Sequence, residues 1–511
     1  MKQSTYMRAR LNKDRFWRWG WLGVFVFVMQ ACQPSPETPA LPVETRVTPS
    51  ETPLPTQTPS PTTTLTVTPT ATPTELPIPL YTHVGIEVVG SNIVEKIPML
   101  AEAGAGWVRW NGVSWMNLES EEGVYDWTRA VNFETYFQAV SEAGMQLIVI
   151  VRRTPEWAQA VPGYVCGAIL PEKLEAFGRF MFALVERYSQ PPYNVKYWEL
   201  GNEPDIDPIY SSPTSAYGCW GQETDPYYGG GIYAEMLKVV YPQIKAADPA
   251  AQVLIGGLLL DCDPITPPLL ESGEPKDCRP ARYVEGILAA GGGAYFDGIS
   301  FHAYDFYWPN EFGFINPSWG IGQITGLPVT YFKTAYLRQM LSQYGFSEKF
   351  LLNTETALLC GRDGKEPDCQ TDEFNRTKAD YVAKSYIVAK GENLHANIWY
   401  HYQQGWRSSG LVDANFAPHP ALDAFRFVGQ ILEGAIPIGL ILDYPQVIGY
   451  KFIKSDTPER AELWAVWSSS GFPSMITLPV SPIELWDIYG TPLPTAQTLE
   501  VTNSPIYIRL R

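Results

Sequence analysis

A chain of 511 residues is long enough for two to four average domains, or for one large barrel with additions. Its formal net charge of −17 excludes nucleic acid as a partner, because phosphate binding needs clustered Lys and Arg, and favours a neutral or cationic one. Aromatic residues make up 13%, with 17 Trp, an excess that core packing absorbs only in part.

The first residues read as a targeting segment. Lys2, Arg8, Arg10, Lys13, Arg15 and Arg18 precede a short apolar run, Trp21–Ala31, which Cys32 follows directly. A bilayer needs about 20 apolar residues, so this run is too short for an ordinary membrane helix. Apolar residues, a small residue and then Cys resemble a bacterial lipoprotein signal, which implies lipidation at Cys32 after removal of residues 1–31; the alternative is a plain secretory signal. Residues 32–79 are dominated by Pro, Thr, Ser and Glu. Such a tract cannot bury enough apolar surface to offset its ordering entropy, so it is expected to be a disordered, semi-stiff spacer.

From residue 80 short apolar runs alternate with longer helical patterns. The expected strands are His83–Val89, Trp107–Asn111, Gln146–Val151, Val195–Leu200, Gln252–Leu259, Gly298–Tyr304, Phe350–Thr354 and Asn397–Tyr402. Helical patterns lie between them, among them Ile93–Glu102, Phe133–Ala143, Glu172–Tyr188, Tyr233–Ala246, Ala281–Ala290, Tyr336–Tyr344 and Lys378–Lys390. Near-continuous apolar strands are those of parallel sheets covered on both faces. Eight such repeats over residues 80–437 predict a (β/α)8 barrel. Residues 438–511 carry only short strand patterns and turns, and predict a small C-terminal all-β, sandwich-like domain.

Without Cys32, six cysteines remain, and an exported chain meets an oxidising compartment. Six cysteines allow 15 connectivities. Nearness in sequence suggests Cys262–Cys278 and Cys360–Cys369, which leaves Cys166–Cys219. None has the spacing of a zinc site, and Asp205, Asp207, Asp261 and Asp263 lack that of an EF-hand. No cofactor and no catalytic metal are expected.

In a barrel of this kind chemistry sits where strands end. Strand four ends Trp198-Glu199-Leu200-Gly201-Asn202-Glu203-Pro204, and strand seven ends Asn353-Thr354-Glu355. Two carboxyls opposed across a barrel mouth suit acetal cleavage, one as proton donor and the other as nucleophile or as base toward water. Glu199 is expected to point away from Asn202 by strand alternation.

Together with Phe301-His302-Ala303-Tyr304 and Trp399-Tyr400, these motifs resemble clan A of the glycoside hydrolases over about residues 80–437, most closely family 39 and its relatives, with family 5 as the alternative. Family 5 members carry a histidine near the end of strand three, where this chain has Val151-Arg152-Arg153-Thr154. The resemblance implies a retaining glycosidase with Glu203 as acid/base and Glu355 as nucleophile. It further implies Asn202 on the sugar 2-hydroxyl, Tyr304 hydrogen-bonded to the nucleophile, Arg109 keeping Glu355 ionised, and Trp399 flooring the subsite beside the cleaved bond. His302 is expected either to bind a sugar hydroxyl or to be a satisfied core histidine. Trp157, Trp220 and Trp406 lie in loops at the same end and are candidate stacking platforms. The expected partner is a carbohydrate, at a bacterial cell surface, with membrane contact only through the N-terminal lipid. A second reading is a non-catalytic carbohydrate-binding lipoprotein on a degenerate barrel.

Overall fold

The computed structural model describes residues 83–510 except 91, 216, 310–311, 321–325 and 456–460. The targeting segment, the linker and Cys32 lie outside the described residues. No helix among those described is long and apolar enough to cross a membrane.

Eight parallel strands close into a barrel: β1 (Val84–Glu87), β2 (Trp107–Ser114), β3 (Gln146–Arg152), β4 (Tyr197–Asn202), β5 (Gln252–Leu258), β6 (Gly298–Tyr307), β7 (Phe350–Leu359) and β8 (Ala396–Tyr400). Each pairs with the next, β8 pairs with β1, and the β5–β6 ladder completes the ring. Helices α1 (Ile93–Glu102), α2 (Val131–Glu142), α3 (Leu174–Tyr188), α4 (Gly230–Ala247), α5 (Tyr283–Ala289), α6 (Val329–Gln343), α7 (Asp372–Gly391) and α8 (Pro420–Leu432) follow the strands in turn. Their ends obey local rules. The Thr371 side chain accepts from the Phe374 N–H at the start of α7, Pro420 opens α8, and Gly104 (φ 85°) and Gly144 (φ 75°) take the left-handed turn that ends α1 and α2.

Because alternate residues face opposite ways, each strand contributes one set of side chains to the barrel interior and another to the helix layer. At the bottom, Trp107, Ile148, Leu254, Leu352, Ala396 and Ile398 fill the interior as an apolar plug. Burying a large apolar side chain is worth about 1.5–3 kcal/mol, so the plug fixes the ring. Above it the inward positions turn charged, with Glu87 on β1, Arg109 on β2 and Glu199 on β4, all buried.

The C-terminal residues form a five-stranded antiparallel sheet, in the order 435–441, 447–454, 462–468, 506–509, 484–486, and a two-stranded one of Ser474–Thr477 with Thr498–Val501. One face of the larger sheet packs on the smaller around Trp464, Val466, Ile476 and Ile508. The other, through Tyr450, Phe452, Trp467 and Tyr507, joins the core of the barrel helices. The Tyr450 hydroxyl donates to Glu392 at the end of α7 at 2.7 Å. Two of these strands, Ala435–Ile441 and Thr498–Val501, were not expected from the sequence.

Candidate active site

The inward register brings eight polar side chains together at the C-terminal mouth. Arg109 is fully buried and organises them. Its Nη1 donates to Glu355 Oε1 at 2.5 Å and to Glu87 Oε2 at 2.6 Å, and its Nη2 donates to Glu199 Oε1 at 2.5 Å and to Asn202 Oδ1 at 2.7 Å. One guanidinium thus holds the inward residues of four strands in register. Glu199 therefore faces the same cluster as Asn202. The expected opposition fails because Gly201, at φ 94°, breaks the strand alternation between them.

Glu203 follows β4 with φ 50°, a left-handed conformation that costs a residue with a side chain about 1–3 kcal/mol. The Glu203 N–H is held by the Gly257 carbonyl at 2.8 Å, which fixes that conformation. Its Oε1 lies 2.9 Å from His302 Nδ1, and the same nitrogen lies 3.5 Å from Glu355 Oε2. The two carboxyl groups and the imidazole present atoms that all lie within 4.8 Å of one another. His302 is seated above Gly257, where a Cβ would collide with its Nε2. The Tyr304 hydroxyl donates to Glu355 Oε2.

Burial drives the proton affinities apart. Desolvation, reinforced by the charges of Glu355 and Asp205, pushes Glu203 well above the ordinary carboxyl range. Desolvation also raises Glu355, but there Arg109 and the Tyr304 hydroxyl pull against it. Burial, with Arg109 and Lys333 nearby, drives His302 well below its usual value, so the imidazole is neutral. Glu87, buried and sharing Arg109 with Glu355, is raised well above the ordinary range by desolvation.

Of the residues singled out in the sequence, Arg109, Asn202, Glu203, His302, Tyr304 and Glu355 converge on this cluster. Trp406 joins its rim, with its ring edge-on to Tyr304 at 5.8 Å. Trp157 stands apart, edge-on to Trp115 at 5.3 Å and bonded through Nε1 to the Glu119 carbonyl. Trp220 packs on Tyr233 under the loop after β4. Trp399 is no subsite floor: it is wholly buried, points outward to Tyr381 of α7, and donates through Nε1 to the Ser409 carbonyl at 2.9 Å. The register pairs Ile86 with Trp399 and Glu87 with Tyr400, so the inward aromatic of β8 is Tyr400, whose ring meets Tyr304 at 6.0 Å. Tyr400 and Glu87 escaped the sequence reading. A lone glutamate in the otherwise apolar β1 was the signal for Glu87.

Three disulfides, Cys166–Cys219, Cys262–Cys278 and Cys360–Cys369, tie down the loops around this mouth. Asp205 accepts from the Leu259 and Leu260 N–H groups, and Asp207 from those of Ile209 and Glu223, so both brace the loop after β4.

Neither a protein-family model nor a curated protein matches the chain. Solved structures do. A family 39 glycoside hydrolase from the gut symbiont Bacteroides cellulosilyticus WH2 superposes with a TM-score of 0.60 at 18% identity, over 84% of this chain and 82% of that one. The catalytic domain of GH30 xylanase C from Talaromyces cellulolyticus gives 0.53 at 14% identity, over 83% and 96%. A GH30 endoxylanase from Clostridium papyrosolvens C71 gives 0.51 at 11%, over 84% and 95%. At such identities the likeness is one of fold: the chain shares the (β/α)8 barrel of clan A glycoside hydrolases.

Proposed function

We propose that the protein is a retaining glycoside hydrolase that cleaves O-glycosidic bonds of a polysaccharide or its oligosaccharides by double displacement. The reading rests on one observation, the pair Glu203 and Glu355 presenting carboxyl oxygens within 4.8 Å of each other across His302 at the mouth of the barrel. Carboxyl groups about 5 Å apart leave room for direct attack at the anomeric carbon but not for an intervening water, as inverting enzymes need. The folds of families 39 and 30 support the same class.

Glu203, carrying its proton, donates it to the leaving oxygen. Glu355, held as a carboxylate by Arg109 and Tyr304, attacks the anomeric carbon and forms the glycosyl ester. Glu203, now ionised, takes a proton from water as that water hydrolyses the ester. Neutral His302 orients Glu203 without adding a competing charge. Asn202, with Oδ1 committed to Arg109, keeps its amide N–H groups for a substrate hydroxyl. The signal segment and the three disulfides support export, with Cys32 as a lipid anchor at the bacterial surface.

The test is a panel of aryl glycosides and polysaccharides with wild type, Glu355→Ala and Glu203→Gln. Glu355→Ala abolishes turnover. Glu203→Gln loses far more activity on natural glycosides than on those with an acidic phenol leaving group, because only the former need the proton. Sugar binding without hydrolysis across the panel would instead favour a non-catalytic carbohydrate-binding protein.

A further inference from the structure

The wall of the mouth between β8 and β1 carries two polar groups that the proposed chemistry leaves unused, on Glu87 and Tyr400. The two residues are Cα partners in the β1–β8 ladder. Glu87 is 2% exposed, and its Oε2 is fixed by Arg109 Nη1 at 2.6 Å. Its Oε1 has no hydrogen-bond partner among the described residues, yet it is not sealed from solvent. The hydroxyl of half-buried Tyr400 is in the same condition. Burial raises the proton affinity of that hydroxyl, and the charges of Glu355 and Glu87 add to the effect, so it keeps its proton and lies within the field of the nucleophile. The Tyr400 ring stands edge-on to Tyr304 at 6.0 Å and to Trp406 at 6.5 Å, contacts that fix its direction.

Bracing Arg109 does not account for Glu87. Glu199 already meets that guanidinium with both carboxyl oxygens, at 2.5 and 3.4 Å, and Glu355 meets it at 2.5 Å. A third carboxyl adds desolvation cost, and its open oxygen adds more. A ligand hydroxyl that pairs with that oxygen offsets the cost. The direction of the ligand follows from the chemistry. Glu203, at the end of β4, protonates the leaving oxygen, so the leaving group lies on the β4 side. The ring attacked by Glu355 of β7 extends the other way, over β8 and β1. Asn202 serves the hydroxyl beside the anomeric carbon, which leaves the β8–β1 wall facing the ring hydroxyls beyond C2.

We propose that Glu87 and Tyr400 are specificity-determining residues, which hold the hydroxyls beyond C2 of the sugar whose anomeric carbon is attacked. The proposal rests on the hydrolase reading for the direction of the sugar. It is tested on the whole protein with 4-nitrophenyl β-glucoside, galactoside, mannoside and xyloside, and then with analogues of the best of them that each lack one ring hydroxyl beyond C2. Wild type, Tyr400→Phe and Glu87→Leu are compared. Tyr400→Phe deletes only a hydroxyl, so it carries the test if Glu87→Leu does not fold. Binding of the corresponding free sugars to the same proteins is measured alongside by calorimetry. Each variant is expected to lose at least about fivefold more kcat/KM on the parent glycoside than on the analogue lacking the hydroxyl it holds, about 1 kcal/mol, the net worth of one hydrogen bond. The intrinsic reactivity of each glycoside cancels in that comparison. Which analogue responds identifies the hydroxyl. Equal losses on the parent and on every analogue, as a merely structural role gives, overturn the proposal and leave the hydrolase standing. Hydroxyl-selective losses of binding without any turnover do the reverse. Neither turnover nor binding of any of the four sugars overturns both.

Discussion

Replacing Arg109 with Met tests the electrostatic design of the mouth most directly. The substitution keeps much of the side-chain volume and deletes the charge. Arg109 is wholly buried and bonds three carboxylates, Glu87, Glu199 and Glu355, at 2.5–2.6 Å. Removing one partner of a buried ion pair typically costs about 3–5 kcal/mol, because the other charge is left stranded. Here three carboxyls are stranded beside one another, so a loss of at least about 3 kcal/mol is expected near pH 7.5, a large part of a typical domain's ~5–15 kcal/mol. The loss must depend on pH. Without the guanidinium Glu87 and Glu355, which burial already raises, rise further above their unfolded value of about 4.3, so the folded chain binds more protons than the unfolded one. Stability of the variant therefore recovers as pH falls towards 5. Urea midpoints from Trp fluorescence, for wild type and Arg109→Met at both pH values, read the difference. A loss below about 1 kcal/mol, or one identical at both pH values, refutes the account of Arg109 as the common counter-ion.

Tyr304→Phe removes an O–H donor to Glu355, and a hydrogen bond to a charged group is worth about 1.5–3 kcal/mol. The expected fall in kcat is about 10- to 100-fold, and the acidic limb of the pH–rate profile moves to higher pH because Glu355 becomes harder to ionise. Trp399→Ala is expected to cost about 3–5 kcal/mol in urea unfolding and to leave KM of the folded fraction unchanged, since the ring packs outward. A raised KM with intact stability would restore it to the sugar site. Burial pushes Asp305 to about 6 from 3.8. A carboxyl raised in the folded state favours folding below its unfolded value and loses that contribution as pH climbs through 6, on the order of 3 kcal/mol here. Asp305→Asn, which retains an acceptor for Val329 N–H and Tyr381 O–H, should flatten the stability curve between about pH 4 and 7.

The barrel was legible because its strands are runs of apolar residues with turn signals at regular intervals, and such a pattern has few alternative folds. All eight expected strands overlap observed ones, and β6 and β7 run on past their expected ends into the mouth. The positions of Glu203 and Glu355 followed from strand ends alone. What sequence spacing does not carry is which way a side chain faces once a glycine or a cross-strand register intervenes. Gly201 turned Glu199 inward, and pairing with β1 sent Trp399 outward and Tyr400 in. The two unexpected C-terminal strands fail for compositional reasons. Ala435–Ile441 contains Pro437 and Gly439, poor strand formers tolerated at a sheet edge. Thr498–Val501 is a four-residue strand with two exposed positions, too short to show a period.

The placement of the three disulfides has a consequence for resistance to proteolysis. Every one of the six sulfurs lies in a segment that joins the end of a strand to the following helix, and so on the rim of the mouth. Long rim segments are where a protease first finds an unfolded stretch to grip, whereas the ring beneath is closed by its own ladder and exposes no edge. Oxidation therefore armours the part of the molecule that must stay open to solvent. A reducing agent would strip that armour and leave the barrel standing, so digestion would begin at the very segments that shape the cleft.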